Sequence, residues 1–218
     1  MSDVVVGRFE DLVSRGLGRA ARAMGRWCEA FRPAGPEMPL APVRRFLRLQ
    51  AVFAPVDGRF GQPVGYGEAC WSGLFDSAYS RVGDYIRRDD GAIWFVASQQ
   101  PMLPVLCVRT TRVVSLSRPA AALLPGADAY GGVRRSAAVP LLNSWPACVL
   151  DIRGDGLSAR LPQDAGDGAW HVLLPVLPDG VLPRSGDLLA DDLGRGGVVV
   201  TAEQSDLGWK LRVVQAAS

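Results

Sequence analysis

The sequence predicts a mainly β protein, in which an N-terminal amphipathic helix and a proline-rich arm precede two tandem small β-barrel or sandwich lobes. Three observations support this fold class. The 218 residues include 25 glycines and 16 prolines, a content typical of short strands joined by frequent turns. Apolar segments with strand-like alternation recur after residue 43. One pattern of turn and strand residues occurs twice, with an offset of 103 positions.

The spacing of apolar and basic residues predicts one amphipathic helix over residues 3–30. Its apolar stripe includes Phe9 and Trp27. Arginines form a basic stripe at similar spacing: Arg8, Arg15, Arg19, Arg22 and Arg26. Such a stripe can contact an acidic protein surface, follow a phosphate backbone or remain solvated. The apolar opposite face and the glycines within the helix favour a helix that docks on a protein partner.

Residues 31–42 contain four prolines, which exclude a helix and indicate an extended arm. We expect this arm to be disordered in the free protein and to extend the docking surface through Trp27 and Phe31. Residues 1–42 therefore form the first predicted unit. A β lobe over residues 43–118, a linker over 119–138 and a second β lobe over 139–218 follow.

The repeated pattern consists of a Gly-Asp pair, a short strand, an acidic turn that ends in glycine, and a second strand. It occurs at Gly83–Gly91 and again at Gly186–Gly194. Aspartate and glycine favour tight turns, so we expect a structural role for these positions. The predicted turn residues are Gly83, Asp84, Asp90, Gly91, Gly186, Asp187 and Gly194.

The sequence offers little catalytic or metal-binding chemistry. Two adjacent acid pairs, Asp89-Asp90 and Asp191-Asp192, could bind a divalent ion, but their place beside glycine favours a turn role. His171 is the single histidine, and the sequence has no Gly-x-Ser-x-Gly motif whose serine it could activate. The four cysteines are far apart and we expect them to be reduced core residues. We predict no catalytic residue, no metal and no cofactor.

Charge is unevenly distributed along the chain, although the net charge is only +2. Residues 1–50 hold nine basic and five acidic residues, whereas residues 151–218 hold six basic and ten acidic residues. Two copies could therefore make a head-to-tail contact, although two differently solvated surfaces would show the same pattern. No apolar run reaches the roughly 18 residues of a membrane span, so we expect a protein that is made in the cytoplasm and has no membrane partner.

The run from Gly83 to Arg109, GDYIRRDDGAIWFVASQQPMLPVLCVR, resembles segments in structural proteins of tailed bacteriophages and prophages. The segments RFLRLQAVF, from Arg45, and GLGRAAR, from Gly16, are similar to the same group. The resemblance covers about residues 10–118, and the second lobe shares it only through the repeat. It implies a head-completion or stopper-like protein of the virion neck and brings no catalytic residue with it.

The resemblance leads to the expectation of a non-enzymatic head–tail connector, located at the head–tail junction of the virion. Its partners would be further copies of itself in a ring, the portal or an adaptor protein, and tail proteins. Genomic DNA would pass nearby without sequence recognition. The alternatives are a tail-hub or adaptor component, a cellular module of tandem SH3-like or OB-like barrels, and a virion-associated hydrolase that uses His171.

Overall fold

The computed structural model of the chain describes residues 2–56, 69–100, 103–119, 138–151 and 169–215, and of residues 2–11 and 151 only the backbone. These ranges form one α-helix, one 3₁₀ turn and twelve strands. The helix α1 is Ser2–Met24 and the 3₁₀ turn is Pro42–Arg44. The strands are β1 Arg26–Phe31, β2 Arg45–Pro55, β3 Cys70–Leu74, β4 Tyr85–Arg88, β5 Ile93–Ser98, β6 Val105–Arg109, β7 Arg112–Arg118, β8 Val139–Asp151, β9 Ala169–Leu174, β10 Leu188–Asp191, β11 Gly196–Ser205 and β12 Gly208–Gln215.

The described strands close into two antiparallel barrels of the same strand order. Barrel 1 runs β1-β2-β3-β6-β5-β4 and is closed by the β1–β4 pair. Barrel 2 runs β7-β8-β9-β12-β11-β10 and is closed by the β7–β10 pair. The predicted mainly β fold with two tandem barrels is confirmed. The shared order also makes each strand of barrel 1 the counterpart of one strand of barrel 2.

The helix ends six residues earlier than the sequence predicted. Residues 26–31, which the sequence analysis assigned to the helix and arm, form β1 and pair with β2 on one side and β4 on the other. Helical periodicity and strand alternation are hard to distinguish over so short a segment. The segment forms a strand because pairing with β2 and β4 points Cys28 and Ala30 into barrel 1, where both are buried.

The boundary between the lobes also differs from the prediction. The strand-like run that begins at Leu103 is two strands, and the chain changes barrels at Thr110 and Thr111. Thr110 donates its N–H to Ile93 of barrel 1, and Thr111 donates to Ala147 of barrel 2. Barrel 1 therefore spans 26–109 and barrel 2 spans 112–215. The predicted linker joins β7 to β8 inside barrel 2, and its residues 120–137 lie outside the described residues.

Two further predictions also lie outside the described residues. They are the Asp57-Gly58 turn and the strand over Leu157–Leu161.

An apolar row on the outer wall of barrel 1 joins the two barrels. Strand register aligns Phe31 with Tyr85, Tyr85 with Phe95, and Phe95 with Val108. All four residues are buried and share one hydrophobic cluster with the interior of barrel 2. The Tyr85 ring lies 6.0 Å from the ring of Trp145 in an edge contact, and its hydroxyl donates to the carbonyl of Pro146 at 2.7 Å. The barrels are thus packed into one body.

The proline-rich arm is bound to barrel 2 along β8. The Pro36 carbonyl accepts hydrogen bonds from the Trp145 indole at 2.7 Å and from the Asn143 N–H at 2.9 Å. The Met38 N–H donates to the Asn143 carbonyl at 3.1 Å. These contacts replace the predicted disordered docking arm, because the backbone that would reach a partner is already hydrogen-bonded within the chain.

Each barrel contains one buried aspartate that is held by an arginine, and we call these pairs the Asp–Arg clasps. Arg32 donates to both carboxylate oxygens of Asp84 at 2.9 and 2.7 Å. Arg118 makes the same bonds with Asp187 at 2.8 and 3.0 Å. Both carboxylates also accept a backbone N–H from three residues upstream. Because each clasp joins the ends of the two strands that close a barrel, it fastens the closing seam.

The glycines of the repeat occupy equivalent backbone positions. Gly83 and Gly186 precede the clasp aspartates with φ of 92° and 90°. Gly91 and Gly194, in the following hairpin turns, have φ of 87° and 78°. These values lie in the left-handed region, where a side chain is disfavoured. The repeated Gly-Asp pattern thus encodes a backbone reversal and a buried anchor in both barrels.

We expect Asp84→Asn to lower the free energy of unfolding by about 2 kcal/mol, because it leaves the Arg32 charge without its carboxylate. The loss is smaller than for a fully buried pair, since Arg32 keeps 34% of its side chain exposed. Urea denaturation of the purified variant measures it, with Asp192→Asn, at an exposed turn position, as the control. A loss no greater than that of the control would contradict a stabilising clasp.

We expect the stability of the chain to fall at alkaline pH through Tyr85. Burial raises the pKa of this phenol well above its ordinary value. Above about pH 10 the unfolded chain releases a proton that the folded chain retains, so stability falls as pH rises. The buried thiols of Cys28 and Cys148, whose pKa burial raises to about 11 and about 12, act in the same direction.

Tyr85→Phe tests this effect. At neutral pH it should lower the free energy of unfolding by about 1 kcal/mol, through the lost bond to Pro146. Above about pH 10 it should make the loss of stability shallower than in the wild type. Denaturant titrations across this pH range measure both effects, and Tyr79→Phe, at an exposed tyrosine of barrel 1, is the control. Parallel pH profiles for Tyr85→Phe and the wild type would contradict the assignment.

Candidate functional site

An exposed tryptophan marks the surface where α1 meets barrel 1. Trp27, in β1, is 54% exposed, and the Arg48 guanidinium lies 5.7 Å from its ring centroid. Open depressions of about 250 Å³ and about 440 Å³ lie beside it. We call Trp27 and the residues that line these depressions the Trp27 surface. Its other principal residues are Gly18, Arg22, Glu29, Arg48, Asp76, Tyr79, Arg87, Arg88 and Asp89.

Gly25 gives the Trp27 surface its shape. The Gly25 N–H donates to the Ala21 carbonyl at 2.6 Å and so completes the last turn of α1. A Cβ at this position would lie 2.4 Å from the Ala21 oxygen and 2.9 Å from the Ala51 oxygen. Only glycine therefore lets the chain leave the helix this close to β2. The strand that begins at the next residue then places Trp27 outward beside the helix.

The carboxylates around Trp27 are paired with arginines. Arg26 contacts Asp89 at 3.0 Å, and Arg88 binds Asp90. Glu29 accepts hydrogen bonds from Arg87 and Arg45, which lower the pKa of its carboxyl.

Two arginines beside Trp27 are left without a carboxylate partner among the described residues. They are Arg22 and Arg48, which line the smaller depression together with Asp76, whose carboxylate accepts the Ala78 N–H. The Trp27 surface therefore offers an exposed aromatic ring in a depression that is also lined by two arginines.

The predicted docking residues lie in different surroundings in the structure. Arg15, Arg19 and Arg22 are exposed on α1. Arg26 belongs to β1 and is held in ion pairs with Asp89 and Asp90. Trp27 is exposed. Phe31 is fully buried between the barrels, so the prediction that it binds a partner is wrong. Phe9 lies where only the backbone is described. Of the predicted residues, the structure brings Arg22 and Trp27 together.

The docking residues predicted from the sequence do not include Arg48, Tyr79 and Arg88. They come from β2, from the loop after β3 and from β4, so only the closed barrel brings them beside Trp27. For Arg48 a signal was present. It alternates with the inward-facing Leu49 in a predicted strand, and an arginine on the outward side of a strand is available to a partner.

The acidic residues that were considered for catalysis or metal binding make structural contacts. Asp84 and Asp187 are occupied in the clasps, while Asp90 and Asp191 accept backbone N–H groups of their own turns. His171 lies on the outer wall of barrel 2, where partial burial and the charges of nearby cations lower its pKa. Among the described residues, no group of three or more His, Cys, Asp or Glu side chains is arranged to hold a metal ion.

The sequence predicted four core cysteines, and one of the four is exposed. Cys28, Cys107 and Cys148 are buried, whereas Cys70 lies at the exposed start of β3.

Comparison with known proteins gives no assignment: no protein-family model, curated protein or solved structure matches the chain. Within the described part of the chain, no helix has the length and apolar character that crossing a membrane requires.

Alanine substitutions at two glycines of α1 and its end test the role of Gly25. Gly25→Ala should lower the free energy of unfolding by about 2 kcal/mol, because its Cβ collides with two backbone carbonyls. Gly16→Ala should raise it by up to about 1 kcal/mol, because helix propensity improves and no atom lies within 4 Å of the new Cβ. Thermal denaturation followed by circular dichroism measures both changes. A neutral or stabilising Gly25→Ala would contradict the packing described here.

Proposed function

We propose that this chain is a non-enzymatic structural protein of a tailed-phage virion, a ring-forming connector between portal and tail. The observation that carries the proposal is the exposed Trp27 surface on a body of two packed, closed barrels. The similarity of the Gly83–Arg109 run to virion structural proteins points in the same direction. A connector needs a firm body and side-chain surfaces that bind neighbours, and both features are present.

The closed barrels support a role in assembly. Strand pairing around each barrel satisfies the backbone groups that an open sheet edge would expose, so neighbours have to be recognised through side chains on the outer walls. Large side chains fill the interior of barrel 1, where Phe53 stacks on Trp94 with ring centroids 4.0 Å apart. Contacts with partners are thus directed to the outer surface.

The Trp27 surface has the composition of a binding hot spot. Tryptophan and arginine are enriched among the residues that contribute most to protein interfaces. Arg22 and Arg48, which line the same depression as the indole, favour an acidic partner surface that presents an apolar group to the ring. We assign this surface to the portal or adaptor protein, or to the tail protein that follows.

The acidic C-terminal part of the chain suits a position near the path of the genome. Residues 151–218 contain ten acidic and six basic residues. A segment of this net charge does not attract DNA phosphates, so it would not retard the passage of DNA. We therefore orient barrel 2 toward the channel and the Trp27 surface toward a protein neighbour.

Immunogold electron microscopy of intact and disrupted particles from the source culture tests the proposal, with antibody raised against the purified chain. Label at the head–tail junction supports a connector. Label at the distal tail replaces the connector with a tail-hub role. Absence of label from both intact and disrupted particles overturns the virion assignment and leaves a cellular binding module as the next candidate.

Complementation tests the Trp27 surface. In a lysogen that lacks the gene, Trp27→Ala should reduce the yield of tailed particles by more than about tenfold, because truncation removes the aromatic anchor of the interface. Leu207→Ala, at an exposed apolar position in the turn before β12, is the matched control and should complement fully. Counting particles by electron microscopy measures the effect. Full complementation by Trp27→Ala would remove this surface from the docking role.

A further inference from the structure

Cys70 projects from the outer wall of barrel 1 on the side of barrel 2. It lies opposite Val108 in the β3–β6 pair, and Val108 belongs to the part of that wall which barrel 2 buries. Residues that lie opposite each other in neighbouring strands project from the same face of a sheet. The Cys70 thiol is therefore directed to the seam between the barrels, where the side chain keeps exposure to solvent.

Cys148 projects toward the same seam from barrel 2. It lies opposite Leu173 in the β8–β9 pair. Leu173 alternates with Val172 and Leu174, which are buried in the interior of barrel 2, so Leu173 and Cys148 point outward. A side chain on an outer wall faces solvent unless another unit covers it, yet Cys148 is buried and shares a hydrophobic cluster with Tyr85. Barrel 1 therefore covers this thiol.

The crossing of the chain between the barrels brings the backbones of both cysteines together. The residue before Cys70 accepts the N–H of Arg109 at 3.0 Å, and the residue before Cys148 accepts the N–H of Thr111 at 2.9 Å. Arg109 and Thr111 are only two positions apart in the chain. Burial raises the pKa of the Cys148 thiol to about 12, and the charge of Cys70 adds to the increase. The two sulfur atoms thus lie near enough to interact.

The other two cysteines lie on the far side of the wall of barrel 1. Cys28 and Cys107 are buried in the interior of that barrel, in one cluster with Trp94. A strand separates its inward side chains from its outward ones. Of the four cysteines, all of which the structure describes, Cys70 and Cys148 therefore share the seam.

We propose that Cys70 and Cys148 form a modification site at which a small-molecule disulfide, such as oxidised glutathione, links the two barrels covalently. Because Cys70 is exposed, its thiol is the one that the reagent reaches first. The Cys70 thiolate attacks one sulfur of the reagent, forms a mixed disulfide and releases one glutathione thiolate. The Cys148 thiolate then attacks the Cys70 sulfur and releases the second glutathione thiolate.

This exchange balances without a further reactant. The two protein thiols are oxidised to one disulfide, the reagent is reduced to two thiols, and the protons of the protein thiols end on the released thiolates. An excess of a small thiol drives the same steps in reverse. Because Cys148 is buried, the second step is slower than the first and sets the rate of cross-linking.

The bond would join β3 of barrel 1 to β8 of barrel 2, so it would fix a contact that otherwise depends on packing and hydrogen bonds. A cross-link between segments far apart in sequence restricts the unfolded chain more than the folded one. We expect the linked protein to have a Tm at least about 5 °C above that of the reduced protein. Thermal denaturation with and without reductant measures this difference.

Peptide mapping by mass spectrometry tests the site on the full chain. After incubation with excess oxidised glutathione and no denaturant, the wild type should contain one cross-linked peptide pair, which joins Cys70 to Cys148. Reductant should restore both thiols. In a chain unfolded in urea, shorter loops close more readily, so Cys70 should pair mainly with Cys28 or Cys107. Selective linkage of Cys70 to Cys148 therefore reports the folded seam.

Three variants separate the two steps. Cys70→Ser, at an exposed position, should abolish the cross-link. Cys148→Ser should stop at the mixed disulfide between Cys70 and glutathione. Cys107→Ala, which removes a buried thiol inside barrel 1, is the matched control and should cross-link like the wild type. Circular dichroism verifies that each variant is folded, and Cys28→Ala replaces the control if Cys107→Ala does not fold.

Several results would overturn the inference. They are a folded wild type that does not react, one that stops at the mixed disulfide, one that links Cys70 to Cys28 or Cys107, and one that forms disulfide-linked dimers through Cys70. A linked protein whose Tm does not exceed that of the reduced protein would contradict a stabilising bond between the barrels. None of these results bears on the connector role, because the inference concerns the isolated chain.

Discussion

Burial of the aromatic row of barrel 1 against barrel 2 is the contact on which the architecture depends. The outer wall of an isolated barrel faces water, yet this wall carries Phe31, Tyr85 and Phe95 in register. Fully burying each large apolar side chain contributes roughly 1.5–3 kcal/mol, which an isolated barrel 1 would not obtain. Trp145 lies at the centre of the contact, because its ring meets Tyr85 and its indole N–H holds the proline-rich arm. The arm and both barrels therefore share one packing centre.

The Asp–Arg clasps stabilise the closure of each barrel. Each barrel of this chain closes by pairing its first and fourth strands, which are far apart in sequence. Arg32 follows β1 directly and Asp84 precedes β4 directly, so the ion pair lies across the end of that seam. Burial of an aspartate beside a fixed cation is stable, while either partner alone would be costly. The same arrangement in barrel 2 explains why acidic residues recur in the repeat without forming an active site.

Features that depend on neighbouring residues could be predicted from the sequence. Features that depend on contacts between distant segments could not. The Gly-Asp turns were predictable because left-handed glycines and turn aspartates have short-range signatures. The end of the helix was not, because Gly25 is one of several glycines there and only its contact with Ala51 singles it out. Phe31 looked like a docking residue because its neighbours are prolines, whereas its partner Tyr85 lies more than fifty positions away. Of the Trp27 surface, Trp27 and Arg22 were predicted and Arg48 carried a strand signal, while Tyr79 and Arg88 join the surface only through the closed barrel.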